Sequence, residues 1–526
     1  MGTKNFSSAN DLITFSRASA GTALRKIAYG SELVTNGTFD GDLTGWAGNG
    51  SQTIAWDSDD GGSALIDITG VGGGIIDDQS IATKSGSVYA VSVKARLGTY
   101  SGSLFVTIDG VSKTIEGTEL SSSYGTYTFN VVAADADLNV VVSRAVANTG
   151  TIYVSSISVK EVLFDQGTLT LFNHPAGIPR IEYDADGNVL GLLVEESRTN
   201  LVTYSEERNQ WTKGTIGVTD GALSINGLSF SLLEAGLLST SQITIGVSVS
   251  PGATVTYSDY VKAGTSLLSR HGVFDSVNSW AGYVDVGWSS GVPSTSASSG
   301  ASNIEYEDIG NGVYRISFSV TINASPGGIT FHTHPDRNAT GLTLYVSGAQ
   351  LEAGAFPTSY IPTSGATATR SADAASIPVA DFGYSQSVGS VVVECENPYV
   401  GSGSIMALNE GIPGNSDNRI IVTMDGARTN TFFVTSGGVN SVAISKSIIS
   451  GTPLTRFGIS WEENDATFVR NADTPVTDTS ATIPNSLTKM EIGSYSGLGA
   501  VLTTHIKSIK YFPRKLTDAQ LQELTT

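Results

Sequence analysis

One order of short apolar segments occurs twice along this chain. Thr35-Asn36 leading to Trp46 returns as Thr199-Asn200 leading to Trp211, Tyr89–Ala95 returns as Tyr257–Ala263, and Tyr153-Val154-Ser155 returns as Tyr345-Val346-Ser347. A repeat of this length reads as a whole folding unit used twice, each copy burying its own apolar face. Within it Tyr89, Val91, Val93 and Ala95 alternate with Ala90, Ser92 and Lys94, the period of two that marks a half-buried strand. The strand Tyr314–Val320 corresponds to Tyr127–Val131, and Gly310-Asn311-Gly312 before it is hairpin chemistry. The second copy is longer between Ala263 and Tyr314. That surplus, Thr265–Ser302, holds Trp280, Tyr283, Trp288 and a serine-rich run, and reads as a loop or an extra hairpin.

Composition supports short strands joined by tight turns. The chain carries 60 Gly, only 4 Met and 15 % charged residues among its 526, a profile that disfavours long helices and predicts an all-β protein. Its net charge of -20 opposes phosphate backbones, and no Lys/Arg stripe interrupts it, so nucleic-acid binding is excluded from the expectations and a neutral or cationic ligand is favoured. One cysteine, Cys395, lies in the apolar run after Val391 and reads as a buried thiol without a disulfide framework. No stretch is long and apolar enough to span a bilayer, and Met1–Asn10 lack the basic start and apolar core of a secretion signal. Neither membrane insertion nor export is expected.

Between the two copies lies Pro179–Trp211, with a turn on Asp186-Gly187-Asn188. Its pieces PRIEYD (Pro179–Asp184) and GLLVEESRTNL (Gly191–Leu201), followed by Trp211, join FSRAS (Phe15–Ser19) upstream and TSYIPT (Thr358–Thr363) and TRSAD (Thr369–Asp373) downstream. Together they resemble a linear signature of tailed-phage virion proteins, chiefly tail fibres and related spikes. In that family FSRAS lies close to PRIEYD, whereas here residues 31–162 intervene, so they read as an insertion. Its opening, Asn36-Gly37-Thr38-Phe39 reaching Trp46, resembles the first strand of carbohydrate-binding jelly rolls. The order of strands after Ile377 and the ending Tyr511–Leu521 resemble concanavalin-like lectin and glucanase sandwiches. Thr517 and Gln520 form a capping-box pattern for one short C-terminal helix, Asp518–Leu524. The expected organisation is an N-terminal arm (1–30), an inserted jelly roll (31–162), a connecting spine (163–198), a second jelly roll (199–357), a linker (358–376) and a concanavalin-like sandwich (377–526).

What the resemblance implies is a virion surface protein, a fibre or spike assembled in the host cytoplasm, that binds host-surface polysaccharide during adsorption. It would contact other virion proteins and form a homo-oligomer, a trimer by the usual symmetry of phage fibres. Two other classes stay open: a structural spacer without a sugar site, and a polysaccharide depolymerase. No enzymatic activity is expected. Gly287-Trp288-Ser289-Ser290-Gly291 matches the nucleophile-elbow string, but that motif needs a helix after it, and here Pro293 and serines follow. Glu394 and Glu396 share a strand face in a spacing that acid/base pairs use, yet the Glu-x-Asp-x-x-Glu strand of the resembling glucanases is absent.

Trp56, Trp280, Tyr283 and Trp288 are the glycan-stacking candidates, because they fall in turn-rich or non-repeated stretches. The bland alternative is that they fill cores, as most rings in sandwiches do. His332 and His334 put two imidazoles on one strand face, as in the metal sites of some trimeric phage fibres, and no third ligand is visible. Asp57, Asp59 and Asp60 beside Gly61-Gly62 would suit a structural Ca²⁺ or a plain acidic turn. No other cofactor is expected.

Overall fold

The computed structural model describes residues 13–48, 52–69, 74–108, 111–117, 119–134, 137–144, 148–237, 240–396, 403–425, 429–447, 454–495 and 500–526. Their regular secondary structure is almost all strand, arranged as β-sandwiches, with one short α-helix near the C-terminus. By chain contacts they divide into one compact unit over Lys26–Thr168 and another made of the remainder.

In the Lys26–Thr168 unit one sheet contains, in spatial order, Thr53–Asp57, Ser63–Ile68, Gly150–Phe164, Val88–Leu97 and Gly125–Val132, and the facing sheet contains Gly74–Ala82, Asp137–Arg144, Leu104–Ile108 and Val111–Ile115. The apolar positions of the alternating strand, Tyr89, Val91, Val93 and Ala95, join Phe39, Trp46, Ile66, Ile152 and Val154 in its core. The two ends of the unit lie side by side, since the Asp165 N–H donates to the Lys26 carbonyl at 2.9 Å. Adjacent ends are what an insertion into a host chain requires.

The second jelly roll repeats this order strand for strand. One sheet runs Ile216–Ile225, Leu228–Ala235, Thr343–Ala353, Thr254–Ala263 and Tyr314–Thr321; the other runs Ile243–Val247, Ile329–His334, Leu268–Asp275 and Ser279–Ser289. Its additions are Thr212–Lys213 and the consecutive strands Val292–Ser299 and Ala301–Asp308, which extend opposite sheets across Gly300 at φ 63°. Most of the expected surplus, including its three rings, is therefore not extra: Ser279–Ser289 occupies the place of Val111–Ile115 in the first copy. The matched tryptophans are core in both, with the Trp46 indole donating to the Asn36 carbonyl and the Trp211 indole to the Tyr204 carbonyl, each at 3.0 Å.

Two seven-stranded sheets form the C-terminal sandwich, and here the expected boundaries shift. Thr14–Ser16 pairs with Ala374–Pro378 at the edge of one sheet, and the hairpin Arg180–Tyr183/Val189–Val194 pairs through Leu192, opposite Ile506, at the edge of the other. Thr14–Ser16 of the arm and the Arg180–Val194 hairpin of the spine are thus strands of the sandwich, and part of the linker, Ala368–Arg370, pairs with Arg198–Asn200. The reason is apolar: Leu192 and Val194 are buried in the same core as Val391, Ile459 and Ile506. The helix Asp518–Leu524 carries both bonds of its capping box between Thr517 and Gln520.

A buried ionic cluster joins these segments. Arg180, fully buried, bonds Glu195 at 2.7 Å and also Asp373, Ser359 Oγ (2.7 Å) and the Thr22 carbonyl (3.0 Å). Arg17 meets the other oxygen of Asp373 at 3.1 Å, and Arg370 reaches Glu195 at 3.1 Å. Glu195 also accepts the Ser359 N–H at 2.7 Å and its hydroxyl at 2.6 Å. Burial alone would raise the Glu195 pKa, but Arg370, Arg180 and the Ser359 bonds more than offset it and hold the carboxyl below the usual range. Asn200, also buried, donates to the carbonyls of Ala349 and Ile361 and accepts from Val202 and Leu351, leaving its amide satisfied.

Two outcomes follow from this architecture. Replacing Lys26–Thr168 by a short Gly/Ser linker should leave the remainder with a cooperative thermal transition, and the excised unit should fold alone; aggregation of the shortened chain would count against the insertion. Glu195→Gln should destabilise by about 3–5 kcal/mol in urea unfolding, because it leaves buried arginines uncompensated. Since the folded pKa of Glu195 lies below the unfolded one, its stabilisation is complete above the ordinary carboxylate pKa and is lost as pH falls through the folded value. The variant should therefore lose less stability than the parent on acidification.

Candidate functional site

In the second jelly roll, alternation sorts side chains between core and outer face. Phe331, Val273, Val284, Val286 and Trp288 point into the core, while Thr333 meets the Tyr257 hydroxyl there at 3.4 Å. By the same period, His332, His334, Arg270, Gly272, Phe274, Tyr283 and Asp285 belong to the opposite face. That face is assembled from three neighbouring strands, and it brings together two groups of residues that the sequence suggested for different purposes.

Trp280 lies across Gly272, whose missing side chain makes the space: a Cβ there would fall 2.6 Å from the indole. The ring is half-buried and sits 5.4 Å from Phe274, 5.5 Å from Tyr283, 5.2 Å from His332 and 6.1 Å from His334, centroid to centroid. The Arg270 guanidinium stacks 3.8 Å from the Tyr283 ring centre and grips Asp285 with two bonds, Nε to Oδ1 at 2.6 Å and an Nη to Oδ2 at 2.7 Å. His332 shares a hydrogen bond with Thr330 Oγ1 at 2.6 Å, and its Nδ1 is buried without a hydrogen-bond partner. Burial pushes the His332 pKa down to about 4; burial, then the charges of Arg337 and neighbours, push that of His334 down to about 3. Both imidazoles are neutral at pH 7. The serines of Val292–Ser299 flank the face, with Ser294 and Ser296 beside Gly287. Half-exposed rings, bidentate polar groups and hydroxyls on a rigid sheet are the usual means of holding a saccharide.

The remaining candidates lie elsewhere. Trp288 is corrected from ligand platform to core: it is 7 % exposed, packs with Val286 and Val284, and its indole donates to Ser269 Oγ at 3.0 Å. Residues 287–291 are a strand end and a two-residue hairpin turn, with Ser290 and Gly291 at positive φ, in place of a nucleophile elbow. Trp56, in the Lys26–Thr168 unit, is 41 % exposed and donates to the Phe39 carbonyl at 2.8 Å. Nearby acids are engaged in ion pairs: Asp59 with Arg96 and Asp60 with Lys94, each at 2.5 Å, while Asp57 accepts the Asp59 N–H at 2.8 Å. Among the described residues no group of three or more His, Cys, Asp or Glu is placed to hold a metal.

Glu394 pairs with Arg456 at 3.3 Å and Lys507 at 3.5 Å. Glu396 and Glu182 clamp His505 from both sides, at 2.5 and 2.7 Å, and although burial opposes it these bonds raise the imidazole to about 10. This clamp borders a cavity of about 260 Å³ that Tyr260, Glu307 and Arg315 also line. Cys395 is buried, and burial pushes its thiol up to about 12.

Arg270, Phe274, Asp285 and Arg337 were not singled out from the sequence. Their signal was faint: Arg270 and Asp285 become a pair only through the register that sets them opposite each other.

No protein-family model matches the chain, and no curated protein does. Among solved structures, the CBM40 domain of Ruminococcus gnavus IT-sialidase bound to alpha2,3 sialyllactose is 15 % identical and matches 27 % of this chain and 84 % of its own, with a TM-score of 0.25. The N-terminal CBM22-1-CBM22-2 tandem of Xyn10C from Paenibacillus barcinonensis is 14 % identical over 64 % of this chain and 100 % of its own, TM-score 0.21. Trypanosoma rangeli sialidase with the inhibitor DANA is 10 % identical over 96 % and 94 %, TM-score 0.24. Likenesses of this strength carry no argument about ligand or activity.

The division between core and face is measurable. Trp288→Ala should lower stability by about 3–5 kcal/mol, while Tyr283→Ala, which loses chiefly a ring stacked on Arg270, should cost about 1 kcal/mol. Equal losses in urea unfolding would contradict it.

Proposed function

We propose that this chain is a non-enzymatic, glycan-binding protein of a phage virion surface, and that the saccharide docks on the Trp280/Tyr283 face of the second jelly roll. The observation that carries the docking reading is the meeting, on one sheet, of two half-buried rings, two imidazoles and the Arg270–Asp285 pair. The virion assignment is supported by the five signature segments, and by the way their charged residues lock together in one cluster. Glu394 and Glu396 are held in ion pairs, which favours binding over hydrolysis. Host-surface polysaccharide is the proposed ligand and other virion proteins the proposed neighbours. A homo-oligomer, with trimer as the favoured state, would multiply one weak face into useful avidity.

On a glycan array the full chain should bind a defined subset of host-surface saccharides, and Trp280→Ala with Tyr283→Ala should weaken that binding roughly a hundredfold, as loss of two stacking rings predicts. Retention of binding by the folded double variant would move the site away from this face. Labelled antibody should mark the protein on the outside of intact virions.

A further inference from the structure

We propose that the cavity beside the His505 clamp is a second saccharide site, independent of the Trp280/Tyr283 face, and that it takes one uncharged sugar ring. The cavity lies wholly within the larger compact unit, where the outer face of the second jelly roll meets the Arg180–Val194 hairpin and the last strand of the C-terminal sandwich. Its volume is about 260 Å³. That is space for roughly nine waters at about 30 Å³ each, which suits one ring and not an extended chain. Leu24, Leu190, Leu193, Ile309 and Pro357 form apolar walls, and Tyr260, Glu307 and Arg315 bring polar groups to the same recess. Tyr260 and Arg315 point away from the jelly-roll core, whose places are taken by Val261, Ile316 and Phe318. Apolar walls with a few polar groups, set at a junction between domains, are the common form of a small-molecule site.

The polar groups have bonding capacity left over. Glu307 and Arg315 stand opposite each other on neighbouring strands, where opposite charges ordinarily close together. Here they do not, and among the described residues neither has an ion-pair partner. Arg315 is drawn the other way: an Nη donates to the Thr358 carbonyl at 2.5 Å and to Ser258 Oγ at 3.1 Å, and the guanidinium lies 5.5 Å from the Tyr260 ring centre. Its second Nη makes no hydrogen bond among the described residues and, unlike its Nε, is not sealed in the interior. Tyr260 is 3 % exposed and packs edge-on against Tyr360, centroids 5.8 Å apart, yet its hydroxyl also lacks a hydrogen bond and is not sealed. Glu307 is exposed along the recess. A carboxylate only accepts, a guanidinium only donates and a phenol does both. Neighbouring sugar hydroxyls, each donor and acceptor at once, can bridge all three. The charges point to an uncharged ligand: His505 is spent on Glu182 and Glu396, at 2.7 and 2.5 Å, so no cation is left for an anion, while Arg315 beside Glu307 disfavours a cation.

The test uses the full chain, saturation-transfer NMR and calorimetry, with the methyl glycosides of glucose, galactose, mannose and N-acetylglucosamine. Glucuronate and glucosamine serve as charged controls, every ligand at about 10 mM, which largely fills a millimolar site. At least one uncharged glycoside should bind. Glu307→Gln should weaken it roughly tenfold, and Tyr260→Phe, which removes only the hydroxyl, roughly threefold. Leu190→Trp, which fills the recess from a half-buried wall position, should abolish binding; if that variant does not fold, the two conservative variants still decide. Adding Glu307→Gln to the Trp280→Ala/Tyr283→Ala chain should remove the same tenfold, which separates this site from the face. Four results would each overturn the cavity site: indifference to Glu307→Gln and Tyr260→Phe, loss of the Glu307→Gln effect in the Trp280/Tyr283 background, tighter binding of glucuronate or glucosamine than of every uncharged glycoside, or no glycoside bound by the folded parent. The docking face stands or falls separately, on the glycan array with its own variants.

Discussion

The larger compact unit depends on a buried cluster of charges that could not exist in any one of its segments alone. Arg180 sits where water cannot reach it, and it is tolerable there because Glu195 comes from the hairpin that follows, Asp373 and Ser359 come from beyond the second jelly roll, and the Thr22 carbonyl comes from the start of the chain. Arg17 and Arg370 share the same two carboxylates. Such clusters seldom add net stability over an apolar core, but an incomplete one is severely penalised. The cluster therefore acts as a specification: the chain closes correctly only when segments far apart in sequence arrive together. This gives the linear signature a physical meaning. FSRAS supplies Arg17, PRIEYD supplies Arg180, GLLVEESRTNL supplies Glu195, TSYIPT supplies Ser359, and TRSAD supplies Arg370 and Asp373.

Much of the architecture was legible because it is periodic. The alternation at Tyr89–Ala95 and its echo at Tyr257–Ala263 identify the central strand of both jelly rolls, and the Thr517/Gln520 pair marks the C-terminal helix to the residue. What stayed hidden depends on partners distant in sequence. The hairpin at Asp186-Gly187-Asn188 is plain from its turn chemistry, yet nothing local says that Leu192 will lie opposite Ile506 and make the hairpin an edge of the C-terminal sandwich. Trp288 was misplaced for the same reason, since a ring beside a serine-rich turn looks exposed until the strand phase turns it inward, in step with Val284 and Val286.

The candidate face was legible in its parts and not in its assembly. Trp280 and Tyr283 were read as sugar platforms and His332 and His334 as metal ligands, two chemistries that turn out to share one surface. Register alone brings them together: Gly272 pairs with Tyr283 on one side and His332 on the other, and its lack of a side chain admits the indole of Trp280.

The meeting of Asp165 with Lys26 at the two ends of the Lys26–Thr168 unit has a reach beyond stability. A unit entered and left at one point behaves as a cassette. Recombination at two short stretches could exchange it wholesale, leaving the charge cluster and the reading of the host chain untouched, and selection could then change what this part of the protein meets without re-solving how the rest of it folds.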